Sequence, residues 1–296
     1  MTRIGRPSSP VPHGFPHLET VRASITTLFR RLSDEGVRAY ATPFAAADAA
    51  FEDSEDLHLG AHRLASAMVR ALRLPDARVV VAFRPMAQAA SVELAAGPEY
   101  FVEVNDRFRT HRRDLAAALA HEVAHVLLHR LDLRMPTTAA DEILTDTAAA
   151  YLGVGWLLLD AYREDALGHQ RLGYLTPEEF GYVLARRASL FGEDPSPWFT
   201  SPQAYEAYRR GRARAARDLR RAPLASAGRA ERLRYAVDRR AGTAPGRGAA
   251  YRFEGGGAGP RVSFPCPVCG QRLRLPVGGP VRARCGLCRT VLDCDT

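Results

Sequence analysis

The sequence predicts an α+β fold with a small cysteine-bearing module at its C-terminal end, and three observations predict it. Several long stretches carry apolar residues at helical spacing. Two short runs, "ARVVVAF" at 77–83 and "EYFVEVN" at 99–105, are rich in β-branched and aromatic residues, as strands are. All five cysteines fall between Cys266 and Cys294, in a chain of 296 residues.

Taken in order, residues 1–17 read as a flexible lead. "HLETVRASITTLFRRLSDEG" (17–36) places Val21, Ile25, Leu28, Phe29 and Leu32 on one helical face and is expected to stop at Gly36. A second helix is expected over Glu55–Leu72, ended near Pro75. The strand at 77–83 follows, then "SVELA" (91–95) and 99–105 as a hairpin about Gly97-Pro98, forming a small antiparallel sheet. A long helix is expected from Thr110 to Leu131. Another runs from Thr138, which can cap it, to Tyr151, with Asp141 and Glu142 in the first turn. "LTPEEFGYVLARRA" (175–188) has the clearest start: Thr176 caps, Pro177 takes the first helical position and Glu179 closes a capping box.

These elements suggest four segments. An N-terminal helical segment spans 1–50, a core spans 51–195, an Arg/Ala/Gly-rich linker spans 196–260 and the cysteine module spans 261–296. Apolar content of 46% and charged content of 25% are ordinary for a soluble globular chain. The formal charge is +8, yet all 41 basic residues are Arg and none is Lys. With abundant Ala, Gly and Pro, this reads as composition bias, so the charge points only weakly to nucleic acid. The Arg-rich linker fits either a charged tether or a contact with nucleic acid or an acidic partner. No apolar run approaches a membrane span, and "MTRIGRPSSPVPHGFPH" has Pro and Gly where a signal peptide needs an apolar core. A cytoplasmic location and no membrane partner are expected.

The stretch with most chemical content is "LAAALAHEVAHVLLHR" (115–130). His121 and His125, at i and i+4, share one helical face, so both imidazoles can reach one metal ion. Glu122 can then take a proton from a water molecule held there. Such a pattern arises by chance about once in seventy shuffled sequences of this composition. The competing reading is a core helix with hydrogen-bonded histidines. His129 lies about 12 Å along the axis from His121 and cannot share the ion, so it reads as packing or a supporting contact. Glu142 and Asp146 are again i and i+4, on the next expected helix. If that helix folds back, Glu142 can be the third ligand, and Asp146 can hold the far nitrogen of a ligating histidine. Asp146 as the ligand is the main alternative. Stabilising charge at a helix start would account for Glu142 without any metal.

Cys266-x-x-Cys269 and Cys285-x-x-Cys288 present two pairs of thiolates separated by fifteen residues. Four thiolates satisfy tetrahedral zinc in a closed structural site. The glycines after Cys269 and after Cys285 suit the tight turns required. A module this small buries little core, so metal binding would supply most of its folding energy. The pattern resembles zinc-ribbon domains in general; a redox dithiol is the other reading. Cys294 is left over, as a free thiol or substitute ligand. Arg272, Arg274, Arg282, Arg284 and Arg289 make the module basic, compatible with nucleic acid, but aromatic stacking residues are nearly absent, and protein docking is equally compatible.

"HEVAH" followed by "EILTD" resembles the gluzincin branch of zinc metallopeptidases, over roughly 55–190. That resemblance implies a zincin-like core with an active-site helix, zinc held by His121, His125 and Glu142, Glu122 as general base and Asp146 supporting a histidine. The stretch "FVEVNDRF…LAHEVAHVLLH" is also similar to small intracellular HExxH proteins, including those that process bacterial regulators. Gluzincins commonly set a strand antiparallel to bound peptide just before the helix, which would fall on 99–104. An oxyanion partner is also needed, and His169 and Tyr174 are the candidates, although Tyr174 suits an aromatic anchor equally well. The expectation is a zinc-dependent peptidase with a protein substrate, carrying one catalytic and one structural zinc. Its rival is a non-enzymatic regulator on the same scaffold, binding nucleic acid or a protein partner through the Arg-rich tail and ribbon.

Overall fold

Local helix and strand signals decide most elements, and long-range pairing decides how they are arranged. The computed structural model describes residues 11–51, 54–165, 169–241, 250–255 and 259–296. These fall into two units: the first takes in the residues up to Ser24 and Val37–Arg212, the second Ile25–Gly36 and those from Ala213 onward. The fold is mixed α and β with small sheets.

The first unit begins with part of helix α1 (Leu18–Arg38), which breaks helical geometry at Ser33. A short α2 (Ala46–Ala49) and α3 (Leu57–Ala71) follow, with Asp56 capping α3 through the backbone N–H groups of His58 and Leu59. Strands β1 (Arg78–Arg84), β2 (Ala90–Glu93) and β3 (Glu99–Asn105) then form one sheet in the order β1-β3-β2. The β2–β3 hairpin is antiparallel, as its turn residues predict, with Val92 opposite Val102. The sheet as a whole is mixed, which corrects the expected small antiparallel sheet. β3 returns between its two predecessors and runs parallel to β1, Val81 opposite Val102. Hairpin signals report only neighbouring strands, so they could not show this insertion.

Helix α4 (Arg112–Arg130) is buried nearly all round: Leu115 to Ala120, Val123, Ala124 and Val126 to Leu128 are all inaccessible. An apolar surface on every side is the mark of a central helix. Helix α5 (Thr138–Leu152) is likewise buried from Ile143 to its end. Its cap is Thr137, whose hydroxyl accepts from Ala140 N–H at 3.2 Å, not Thr138 as expected. After α6 (Trp156–Asp160), the two-residue strands β4 (Arg163–Glu164) and β5 (His169–Gln170) pair antiparallel. Helix α7 (Pro177–Phe191) starts with the predicted capping box, Thr176 accepting from Glu179 N–H and Glu179 accepting from Thr176 N–H, each at 3.1 Å.

Residues 11–17 of the expected lead are tied to this same helix start. The Gly14 carbonyl accepts from the Thr176 hydroxyl at 2.7 Å, and Gly14 N–H donates to Glu178. Residues 1–10 of that lead lie outside the described residues. Helix α8 (Pro202–Asp218) crosses α7 where Gly181 and Gly211 meet: a Cβ on Gly211 would stand 2.1 Å from the Gly181 carbonyl carbon, so only glycine allows this approach.

In the second unit the Arg-rich stretch forms the rest of α8 and helix α9 (Arg229–Ala241), while 242–249 and 256–258 of the expected linker lie outside the described residues. Tyr235 of α9 is buried against Tyr251 and Phe253, which gives this polar helix its anchor. Strands β6 (Arg252–Glu254), β7 (Arg261–Pro265) and β8 (Arg272–Pro276) form one antiparallel sheet, and β9 (Pro280–Arg284) pairs with β10 (Val291–Asp295). No helix among the described residues is long and apolar enough to cross a membrane.

Candidate metal centres

Helices α4 and α5 bring three ligand-type side chains of the first unit to one point. His121, His125 and Glu142 each offer an atom, and these atoms lie within 4.8 Å of one another. The two imidazole Nε2 atoms are 3.1 Å apart, and Glu142 Oε2 lies 3.2 Å from the first and 3.3 Å from the second. Glu142 Oε2 is buried and has no aligned hydrogen bond despite these short distances. Ligands bound tetrahedrally to one zinc at about 2.0–2.1 Å would stand ~3.3 Å apart. The spacing, and a buried acceptor left without a proton, fit a bound cation.

The tautomers follow from the other ring nitrogens. His121 Nδ1 lies 2.8 Å from Asp146 Oδ1, and a buried carboxylate accepts there. In the neutral ring this leaves Nε2 of His121 with its lone pair toward Glu142 and His125. Thr145 does the equivalent for His125. Its hydroxyl donates to the Asp141 carbonyl at 3.0 Å, so its oxygen accepts from His125 Nδ1 at 3.3 Å. Sequence reading missed Thr145. The available signal was its place one turn beyond Asp141 and one residue before Asp146.

Burial opposes charge on His121, yet its contacts with Asp146 and Glu142 prevail and push its pKa up to about 10. Burial likewise raises the Glu142 carboxyl, but the two imidazoles outweigh it and hold that group at about 2. The same carboxylates that favour a proton on His121 would favour a metal cation in its place. Glu122 is pushed up, chiefly by burial.

A cavity of about 300 Å³ opens beside these residues, lined among others by His121, Glu122, Arg107, Arg171 and Tyr174. Tyr174 is half exposed, and its ring stacks on His121 at 6.0 Å. His169 sits on β5 opposite Glu164 and does not line this cavity. His129 is exposed, against the packing reading of it, and as expected it lies outside the three-ligand group.

In the second unit Cys266, Cys269, Cys285 and Cys288 are all buried and their sulfurs lie within 4.8 Å of one another. Cys266 and Cys288 Sγ are 3.6 Å apart, as are Cys269 and Cys285 Sγ. Sulfurs on one tetrahedral zinc at about 2.3 Å would stand ~3.8 Å apart, so this cluster could hold such an ion and is consistent with a zinc ribbon. All five cysteines are free thiols, and Cys294 is outside the cluster. The first turn closes with Gly270 in the left-handed region (φ 76), as expected. In the second turn that conformation falls on Arg289 (φ 55) and not on Gly286, which follows Cys285. From α1, the Thr26 hydroxyl donates to the Cys269 carbonyl at 2.7 Å.

Comparisons with protein-family models, with curated proteins and with solved structures find no match. What the chain does must be read from its own two clusters.

Proposed function

We propose that the first unit is a zinc-dependent peptidase of gluzincin type, acting on an intracellular protein, and that the cysteine cluster is a structural zinc ribbon. The observation that carries this reading is the convergence of His121, His125 and Glu142 beside a cavity into which Glu122 faces. The first three would hold the catalytic zinc. When bound, zinc supplies Lewis acidity toward a carbonyl and lowers the pKa of water at its open position.

The chain's own residues do the rest. Glu122 is buried at the cavity wall with its carboxyl raised, which suits a group that accepts a proton and returns it to a leaving amine. Asp146 and Thr145 hold the two imidazoles so that Nε2 of each stays free for metal. Tyr174, exposed beside His121, is the better candidate of the two for stabilising negative charge on a substrate oxygen. His169 is the weaker one, since it is not at the cavity.

Peptide would pair with β2 and not along 99–104 as first expected. Strand β3 is bonded on both sides, by β1 and β2, and has no free edge. β2 is an edge strand, and Ala90 at its start lines the cavity. Backbone pairing of an extended peptide requires such an edge.

For the ribbon we favour a protein partner over nucleic acid. Arg274, Arg282 and Arg289 are already paired with Glu254, Asp293 and Glu35, which weakens any phosphate-binding footprint.

Zinc content of the full-length chain, together with peptidase assays, tests the proposal. Two zinc ions per chain, matching the two clusters, are expected, with one lost in His121→Ala and turnover lost in Glu122→Gln while zinc is kept. Zinc content unchanged by His121→Ala would sink it. A regulator on this scaffold would retain its binding activity in Glu122→Gln.

A further inference from the structure

The cavity beside the three ligands has a charge pattern that the catalytic reading does not use. Arg107 and Arg171 both line it, and the one carboxylate in the lining is Glu122. Most arginines near this sheet are spoken for: Arg78 pairs with Glu99, Arg84 with Glu103 and Arg109 with Asp106. Arg107 and Arg171 have no carboxylate partner among the described residues. Arg107 lies over the Phe108 ring at 4.8 Å, and Arg171 donates only weakly, to the Tyr174 carbonyl at 3.4 Å.

Both arginines stand on anchored backbone. Asn105 accepts from Arg107 N–H at 2.9 Å, and its amide donates to the Met86 and Gln88 carbonyls, so one side chain ties Arg107 to the cavity wall at 86–90. Arg171 is two residues before Gly173, in the segment whose Tyr174 and Leu175 N–H groups both donate to Asp146. Guanidinium groups bind carboxylates through two parallel donors, and a pair held on rigid backbone loses little freedom in doing so.

We propose that this cleft selects peptides carrying an acidic side chain, Asp or Glu, next to the bond presented to Glu122, and that Arg107 and Arg171 bind it. The inference rests on the peptidase reading and names its substrate class. Glu122 alone cannot cancel the two guanidinium charges, since it is the one carboxylate in the lining against Arg107 and Arg171. Basic side chains at the same position would meet two guanidinium groups and be rejected.

The test uses the zinc-loaded full-length chain carrying Glu122→Gln, which holds peptide without cutting it. Two fluorescein-labelled peptides are compared by anisotropy, one with a central Asp-Glu pair and one with Asn-Gln in its place. The acidic peptide is expected to bind about tenfold more tightly, an advantage that shrinks in high salt. Arg107→Gln and Arg171→Gln should each remove most of that preference, and Arg70→Gln, a charge loss on α3 away from the cavity, should leave it. Equal binding of the two peptides overturns the proposal, as does a preference that survives both cleft substitutions. If the wild-type chain cuts a mixed peptide library with no enrichment of Asp or Glu, the acidic selectivity fails and the peptidase reading stands. If no peptide is bound or cut, both fail.

Discussion

Gly173 stands against Asp146 so closely that a Cβ on it would lie 2.7 Å from one carboxylate oxygen and 2.8 Å from the other. The contact lets the next two backbone N–H groups, of Tyr174 and Leu175, donate to the same carboxylate. Gly173 also has φ +88, where side chains are strained. Gly173→Ala should therefore displace Asp146 and cost about 1–3 kcal/mol of stability, from strain and a disturbed buried hydrogen bond. Thermal melts would show the loss, and a companion fall in zinc affinity would show that His121 had moved with Asp146. A variant as stable and as zinc-competent as the parent would refute this account.

The two supports of the histidines can be separated. Asp146→Asn keeps the shape but turns a donor toward His121 or the 174–175 backbone. Thr145→Val removes the acceptor facing His125 Nδ1 and keeps the branch. Each should lower zinc affinity of the first unit about 10–100-fold, read by competition with a fluorescent chelator. Zinc at the cysteine cluster should not change in either.

The start of α7 offers a test of stability alone. The Thr176 hydroxyl both accepts from Glu179 N–H and donates to the Gly14 carbonyl, in a fully buried position. Thr176→Ala leaves both without a partner and should cost about 1–2 kcal/mol, visible as a lowered urea midpoint. Thr176→Ser should recover most of it.

In the ribbon, Gly270→Ala forces a side chain into the left-handed region and should cost about 1–2 kcal/mol in the resistance of that unit to unfolding. Acid should release its zinc, since thiolates must be protonated to let go, so stability of this unit falls as pH falls. Circular dichroism of the full chain with zinc release followed by a chromogenic chelator would record both.

Cys294 is buried, and burial first, then the charge of Asp293, pushes its thiol up to about 11. It should resist iodoacetamide in the folded chain near neutral pH, because the thiolate is the nucleophile. Cys294→Ser should keep full zinc content, whereas Cys285→Ser should lose the ribbon's ion.

What was legible in the sequence is what local chemistry decides. The capping box at Thr176 and Glu179 and the strand at 99–105 depend on neighbours a few residues away. The i, i+4 spacings of His121 with His125 and Glu142 with Asp146 put each pair on one helix face, whatever the rest of the chain does. The CxxC pairs are equally local. Tertiary structure alone decided that β3 lies between β1 and β2, which moves the free edge to β2, because strand order depends on pairing between distant segments. It also decided that Thr145 supports His125 and that Arg107 and Arg171 share a cavity. Those relationships belong to the packing of α5 on α4 and to loops carried by separate elements, and a side chain's neighbours across such a contact have no fixed spacing along the chain.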